Sequence, residues 1–389
     1  MVIMGNLEKK RQYRQIVTTI SITLNIVFIC GTLFFTYKLY PKIKSRLSLS
    51  EIVTKAIQEV KPNKTDNSLP TVFFDASNFE IIGRLPNTEG YCRLPEDAKT
   101  IVRQPVWRLS KISAGISVRF ASTSSKITIR WTSLNNNMFM NMTPIAANGF
   151  DLYAYSGNKW QFVGVAVPTG NKQDEGEIII EMEPENREYL LNLPLYDGVV
   201  SLEIGIDQGA SISKPVQKII NTSHPIVFYG TSITQGVSAS RPGLTYPALL
   251  GRYFNKEVVN LGFSSNGRFE KELAIFFMTA QPSVIVLDCV PNSVSGVIRE
   301  NLPKTIDYIT SVNDTVPIIL VESIVEEQNN ALKEVYERKV KTRKNIYYVC
   351  GKKLIGEDHE ATIDGTHFND LGHFRAYEYL REEIAKILL

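Results

Sequence analysis

The chain has 389 residues, of which 43% are hydrophobic and 21% are charged, and its formal net charge is +3. This length exceeds one ordinary domain and fits two domains with extensions. The charge is uneven, because residues 1–46 hold eight lysines and arginines but one glutamate. The rest of the chain is therefore mildly acidic, which argues against nucleic acid, and no nucleic-acid partner is predicted.

Residues 16–37 form an uncharged run, IVTTISITLNIVFICGTLFFTY, with basic residues on both sides. As a helix it would span roughly 33 Å at about 1.5 Å per residue, enough for a bilayer core of about 30 Å. A cleaved signal peptide is the alternative, but the run is long for one and no A-x-A site follows. The sequence predicts a tail and transmembrane anchor over residues 1–40 and a stalk over 41–71. The large C-terminal body is expected outside the cytoplasm, in the periplasm or at the cell surface.

Residues 72–215 are predicted to form an accessory β-domain. Short segments such as GISVRFAS, KITIRWTS and FDLYAYSG alternate apolar and polar residues, and Gly, Pro, Asn and Asp lie between them. No convincing helix interrupts these segments. This pattern is typical of an antiparallel, jelly-roll-like β-sandwich.

Residues 216–389 are predicted to form an α/β domain, because short apolar strands alternate there with helical segments. Such alternation favours a parallel sheet covered on both faces, in a flavodoxin-like doubly wound fold. In these sheets, ligands bind at the carboxyl ends of the strands. The strands are expected at residues 226–229, 258–261, 284–288, 318–321 and 346–349.

Ser232 follows the first of these strands, in the stretch YGTSITQG. One explanation is a helix N-cap, the commonest use of a serine after a strand. The other explanation is a nucleophile raised on a tight turn. A nucleophilic serine needs a base within hydrogen-bond reach and donors that face the developing oxyanion.

The base would be a histidine, and the chain has four. One of them lies before the first strand and another lies in a charged loop. This leaves His367 and His373, both in DGTHFNDLGH. Asp370 and His373 lie where the last helix should begin, so Asp370 is interpreted as its N-cap. Asp364 and His367 lie in the loop before it, where the aspartate can fix the imidazole tautomer. We therefore favour His367.

Polar or small residues also follow the other strands. The second strand ends in NLGFSSNGR, whose backbone N–H groups can face a ligand, and Asn292 follows the third. An asparagine side chain there can donate to an oxyanion, although an Asx-turn is the alternative. Glu322 follows the fourth strand and either binds substrate hydroxyls or pairs with Arg268 or Arg241. All three are predicted as candidate substrate-binding residues.

Together, YGTSITQG, VVNLGFSSNGR, DCVPN and DGTHFNDLGH resemble the motifs of SGNH (GDSL-type) hydrolases. GFDLY at residues 149–153 resembles the GxDLY motif of a subgroup with an N-terminal β-domain, so the resemblance covers residues 72–389. It implies that Ser232 is the nucleophile, His367 the general base and Asp364 the carboxylate that orients it. The implied oxyanion hole consists of the N–H groups of Ser232 and Ser265 and the side chain of Asn292.

Two positions depart from the family pattern. The aspartate of GDS is Thr231 here, which is outside the catalytic triad. The glycine of the second motif, counted from Asn260, falls at Ser265 instead of Gly262. Serine keeps the backbone N–H, but its Cβ is expected to narrow the acyl pocket or to demand a negative φ.

The resemblance implies a serine esterase that hydrolyses acyl esters, with O-acetyl groups on carbohydrate as the expected substrate. The predicted partners are an acylated carbohydrate or another small ester, and the membrane through residues 16–37. No cofactor and no metal are predicted, since no P-loop lysine or metal-ligand spacing is present. The alternatives are a sugar O-acyltransferase, a lipase, and a non-catalytic glycan-binding or adhesion protein with a degenerate hydrolase domain.

Overall fold

The computed structural model describes residues 69–178 and 183–388. The predicted anchor at residues 16–37 lies outside the described residues, and so does nearly all of the predicted stalk. Within the described ranges, no helix is long and apolar enough to cross a membrane. The anchor and the location of the body therefore stay predictions.

The first part of the described chain forms two antiparallel sheets that face each other, as the alternating pattern predicts. Their strands are β1 (Thr71–Asp75), β2 (Glu80–Ile82), β3 (Ser117–Ser122), β4 (Ile127–Ser133), β5 (Phe150–Ser156), β6 (Lys159–Ala166), β7 (Gln173–Ile178), β8 (Arg187–Asn192), β9 (Val199–Asp207) and β10 (Ile212–Ser213). One sheet has the order β1-β9-β4-β7, and the other has β10-β3-β8-β5-β6, with β2 beside β3. Their inner faces share one core, in which Trp131 of β4 packs edge-on against Phe150 of β5.

Two short helices interrupt this part, although the sequence shows no convincing helix there. They are α1 (Gln104–Ser110) and α2 (Pro144–Asn148). Each is too short for a period of 3.6 residues to stand out. Residues 83–111, which we call the crossing segment, include α1 and connect β2 to β3. Several apolar side chains of this segment lie in the core of the α/β part, including those of Leu94, Val106 and Trp107.

The second part is a doubly wound α/β layer structure. Its strands are β11 (Asn221–Gly230), β12 (Lys256–Gly262), β13 (Val284–Asp288), β14 (Ile318–Val321) and β15 (Ile346–Val349). They form a parallel five-stranded sheet in the order β12-β11-β13-β14-β15, which confirms the flavodoxin-like topology. The last three strands coincide with their predicted bounds.

Helices cover both faces of this sheet. They are α3 (Ser232–Gln235), α4 (Tyr246–Phe254), α5 (Lys271–Phe277), α6 (Ser295–Val312), α7 (Asn329–Lys339), α8 (Lys352–Ile355) and α9 (Asp370–Leu388). Along β11, Val227 and Tyr229 face the core shared with α5, α6 and α7. Ile226 and Phe228 face the opposite core, shared with α4 and α9. Because both faces are buried, the central strands β13 and β14 are apolar except for Asp288.

An ion pair joins the sandwich to the α/β part. Asp151 of the GFDLY motif is fully buried and accepts hydrogen bonds from Arg241, at 2.7 Å, and from the backbone N–H of Gly243, at 2.8 Å. The Tyr153 hydroxyl also contacts the Arg241 guanidinium, at 2.6 Å. Arg241 therefore binds the first domain, and its predicted alternative pairing with Glu322 is wrong.

Loss of this ion pair should destabilise the protein. In Asp151→Ala, the half-buried guanidinium of Arg241 loses its carboxylate, so we expect the free energy of unfolding to fall by about 3–5 kcal/mol. Urea denaturation followed by fluorescence measures the change. The control is Glu203→Ala, which breaks an exposed pair with Arg130 and should cost less than about 1 kcal/mol. Equal losses in the two variants would contradict the structural role of Asp151.

Candidate active site

Ser232 is the first residue of α3, directly after the turn that ends β11. Thr231 is the N-cap of this helix, and its Oγ1 accepts a hydrogen bond from the backbone N–H of Ile233. The N-cap explanation for Ser232 is therefore wrong, since the residue before it has that role. The hydroxyl of Ser232 is left to make a contact outside its own helix.

Ser232, His367 and Asp364 form one hydrogen-bonded chain. The Oγ of Ser232 lies 3.0 Å from Nε2 of His367, and Nδ1 of His367 lies 2.7 Å from Oδ2 of Asp364. The other oxygen of Asp364 accepts from the backbone N–H of His367, at 2.8 Å. Burial acts to raise the pKa of Asp364, but the hydrogen bonds from the His367 side chain and from the backbone N–H groups of His367 and Thr366 outweigh it and lower the pKa. An ionised carboxylate thus orients the imidazole.

The loop that carries His367 is held at both ends. Near its start, the N–H of Ile363 donates to the carbonyl of His367, at 2.9 Å. At its end, Asn369 caps α9, because its Oδ1 accepts from the N–H of Gly372 at 3.1 Å. The prediction of Asp370 as the N-cap is wrong. Its carboxylate instead accepts from the backbone N–H and the hydroxyl of Ser240, at 2.8 and 2.6 Å, and so ties α9 to the turn after α3.

His373, the other candidate base, lies in the core. Its Nε2 is 3.3 Å from the carbonyl oxygen of Val237, and its ring stacks on Tyr246. Burial lowers the pKa of His373 to about 4, so the imidazole is neutral at pH 7. The structure therefore separates the two histidines as predicted, with His367 beside Ser232 and His373 beneath the site.

A buried carboxylic acid lies below α3. Asp288, at the end of β13, accepts hydrogen bonds from the hydroxyls of Thr234 and Tyr246, each at 2.9 Å. Burial raises the pKa of Asp288 to about 7. Thr234 belongs to the same helical turn as Ser232, so this network fixes the base of that turn. Nothing in the sequence pattern singled out Asp288 for this role.

The Asn292 side chain lies beside the backbone of Ser265. One end of the Asn292 amide lies 3.2 Å from the backbone nitrogen of Ser265 and 3.1 Å from that of Asn266. With its oxygen on that side, the amide accepts from both N–H groups, and its Nδ2 points away from them. Ser265 has a φ of 60°, so the expectation that its Cβ demands a negative φ is wrong. The backbone adopts there the left-handed conformation that favours the family's glycine.

Glu322 and Arg268, the remaining predicted residues, do not contact each other. Glu322 accepts hydrogen bonds from the Tyr348 hydroxyl, at 2.5 Å, and from the N–H of Gly351, at 2.8 Å. Its predicted pairing with Arg268 is therefore wrong. Arg268 is exposed, and its guanidinium donates to the carbonyl of Ser265 at 3.3 Å, beside the predicted oxyanion donors. A substrate-binding role for Arg268 stays a prediction.

Comparison with known proteins agrees with this geometry. Residues 71–212 match the GxDLY family, the N-terminal domain of SGNH-hydrolase-type esterases, and residues 223–385 match the GDSL-like lipase/acylhydrolase family. The structure of a Bacteroides ovatus protein described as a GDSL-like lipase is 34% identical with a TM-score of 0.78, covering 82% of this chain and 98% of that one. The chain belongs to the GDSL-like lipase/acylhydrolase (SGNH) family.

More distant solved structures share the fold of this SGNH hydrolase. Salicylyl-acyltransferase SsfX3 from a tetracycline biosynthetic pathway is 18% identical with a TM-score of 0.67, covering 81% of this chain and 97% of that one. A family two carbohydrate esterase from Cellvibrio japonicus is 13% identical with a TM-score of 0.55, covering 82% and 98%. Among curated proteins, none matches the chain significantly.

Acid should lower the free energy of unfolding of the protein, because His373 is buried in its neutral form. The unfolded chain gains a proton near pH 6.5 but the folded protein only near pH 4, so the stability that neutral His373 contributes is complete above pH 6.5 and is lost as the pH falls through 4. We expect the difference in unfolding free energy between the wild type and His373→Gln to shrink over this range, by up to about 3 kcal/mol. Urea denaturation at pH 4 to 7.5 measures it. A difference that does not change with pH would contradict a buried neutral imidazole.

Proposed function

We propose that this SGNH hydrolase is a serine esterase that removes small acyl groups, O-acetyl groups on carbohydrate among them. The observation that carries the proposal is the chain of contacts from Ser232 Oγ to His367 Nε2 and from His367 Nδ1 to Asp364. A serine, an imidazole base and an orienting carboxylate at these distances are what nucleophilic acyl transfer requires. In the same proposal, residues 16–37 anchor the protein in a membrane, with its body outside the cytoplasm.

In the proposed reaction, Ser232 Oγ attacks the acyl carbon of the ester while His367 Nε2 takes the hydroxyl proton. The carbonyl oxygen becomes an oxyanion, which the N–H of Ser232 and the side chain of Asn292 stabilise, and which the N–H of Ser265 reaches by leaving the Asn292 oxygen. The intermediate expels the alcohol, which takes the proton from His367, and an acyl-serine remains. Water, deprotonated by His367, then releases the carboxylic acid and restores Ser232. Asp364 stabilises the imidazolium in both steps.

The class of substrate rests on likeness. The Cellvibrio japonicus structure and a Clostridium thermocellum structure in complex with cellohexaose are both family two carbohydrate esterases that share this fold. At 12–13% identity these structures support the fold alone. An acylated carbohydrate is therefore a proposed substrate for this chain. The intact contacts of Ser232, His367 and Asp364 count against a non-catalytic glycan-binding protein.

Removal of the Ser232 hydroxyl tests the catalytic proposal. With p-nitrophenyl acetate as substrate, we expect Ser232→Ala to lower kcat by at least about 10³-fold, because no other group can form the acyl-enzyme. The matched control is Ser223→Ala, an exposed serine near the opposite end of β11, which should keep wild-type activity. If the wild type is inert on every ester, or if Ser232→Ala is as active as the wild type, the proposal fails and glycan binding becomes the leading account.

The acyl length and the acceptor test the rest of the proposal. We expect acetate esters to be cleaved more than about tenfold faster than octanoate esters, and acetate to be released from an acetylated oligosaccharide. Mass spectrometry can follow both the release of free acetate and the transfer of the acetyl group to an added sugar. The ratio of these two products distinguishes hydrolysis from acyl transfer. A preference for octanoate would indicate a lipase, and transfer that exceeds hydrolysis would indicate an acyltransferase.

A further inference from the structure

The crossing segment brings part of the N-terminal domain to the catalytic half of the molecule. It lies within residues 71–212, which match the GxDLY domain. Its buried side chains nevertheless share a core with Tyr229 of β11 and with Phe263, the first residue after β12. Residues 263–270, which we call the oxyanion loop, contain Ser265. The crossing segment is therefore placed to act on this loop.

Arg103 of the crossing segment holds the oxyanion loop at two residues. Its guanidinium donates to the side-chain oxygen of Asn266, at 3.0 Å, and to the carbonyl of Asn266, at 2.7 Å. It also forms a two-nitrogen ion pair with Glu270, with Nε 2.7 Å from Oε1. The Glu270 side chain is 11% exposed and that of Arg103 is 37% exposed, so the pair is partly buried and solvent screens it in part. Tyr229 donates its hydroxyl to the other oxygen of Glu270.

The loop needs such support, because it contains two residues other than glycine in the left-handed region. Ser265 has a φ of 60° and the buried Phe269 has a φ of 57°. Each such residue is strained and persists only where its surroundings hold it. Asn266 and Glu270, the two residues that Arg103 binds, directly follow Ser265 and Phe269. Arg103 thus holds the chain on the C-terminal side of each strained residue.

A second arginine of the crossing segment holds the strand before the loop. Arg93 is fully buried and donates to the carbonyls of Asn260, at 3.2 Å, and Gly262, at 2.5 Å, which end β12. Its guanidinium also lies over the ring of Phe263, 4.5 Å from the centroid. The N-terminal domain therefore contacts both the end of β12 and the loop that follows.

We propose that Arg103 is a positioning residue for the oxyanion hole: it holds the oxyanion loop in the strained conformation in which the N–H groups of Ser265 and Asn266 orient the Asn292 amide. The accessory domain is then a structural part of the active site. This inference rests on the proposed function, because the role of the loop is to stabilise the oxyanion of an acyl ester. It assigns Arg103 no contact with the substrate.

The test compares two arginine variants of the full chain. Arg103→Gln removes the ion pair with Glu270, and we expect kcat and kcat/KM for p-nitrophenyl acetate to fall together by about 10- to 100-fold, with KM little changed. This pattern indicates a loss confined to the transition state. The control is Arg130→Gln, which breaks exposed ion pairs with Glu175 and Glu203 on the sandwich and should keep wild-type kinetics.

A second substitution separates positioning from general destabilisation. Glycine adopts a positive φ without the strain that serine suffers. Ser265→Gly in the Arg103→Gln background should therefore recover most of the lost kcat, although it restores no contact of Arg103. If the double variant is no more active than Arg103→Gln, strain at Ser265 is not what Arg103 holds, and the inference is overturned.

Hydrogen exchange distinguishes failure of this inference from failure of the proposed function. In Arg103→Gln, the backbone amides of residues 263–270 should exchange faster than in the wild type and in Arg130→Gln, whether or not the protein cleaves esters. An active wild type with Arg103→Gln of equal kcat and equal exchange would overturn the inference alone. A wild type inert on all esters, with faster loop exchange in Arg103→Gln, would overturn the esterase and hence the oxyanion role, and leave a purely structural clamp.

Discussion

The catalytic geometry depends on the close approach of two backbone turns, which glycine makes possible. A Cβ added to Gly262 would lie 2.1 Å from the nitrogen of Gln235, and one added to Gly267 would lie 2.0 Å from the carbonyl oxygen of Gly230. Neither approach is sterically possible with a larger residue. The turn that carries Ser232 can therefore lie directly against the loop that carries Ser265, so that the proposed nucleophile and the proposed oxyanion loop belong to adjacent backbones.

The N-terminal domain contributes to this arrangement from two directions. On one side, the buried Asp151 of the GFDLY motif binds Arg241, shortly after the helix of the nucleophile. On the other side, Arg103 of the crossing segment binds the oxyanion loop. The described residues, 69–178 and 183–388, accordingly belong to one compact unit. The N-terminal β-domain, which the sequence analysis treats as an accessory domain, thus helps to support the candidate site.

Local patterns in the sequence determined the alternation of strands and helices in the α/β part, including β13, β14 and β15 to the residue, but they missed α1 and α2. They also singled out Ser232, His367 and Asp364, which the structure brings within hydrogen-bond distance of one another. Apolar runs, turn residues and strand-end positions suffice for this, because parallel strands place their carboxyl ends at one edge of the sheet. A serine at that edge then restricts which histidine can reach it.

Only the tertiary structure decided which charged residues pair. Arg241 binds Asp151, ninety positions away, and Glu322 binds Tyr348, while the sequence pointed to pairs among Glu322, Arg268 and Arg241. Such contacts depend on how distant segments pack, and a charge carries no periodic signal of its partner. For the same reason, the sequence did not predict the contacts of the crossing segment. Its Arg103 binds Asn266 of the oxyanion loop, which lies 163 positions later in the sequence. The sequence by itself thus determined the strand order and the candidate chemistry, and packing determined what holds that chemistry in place.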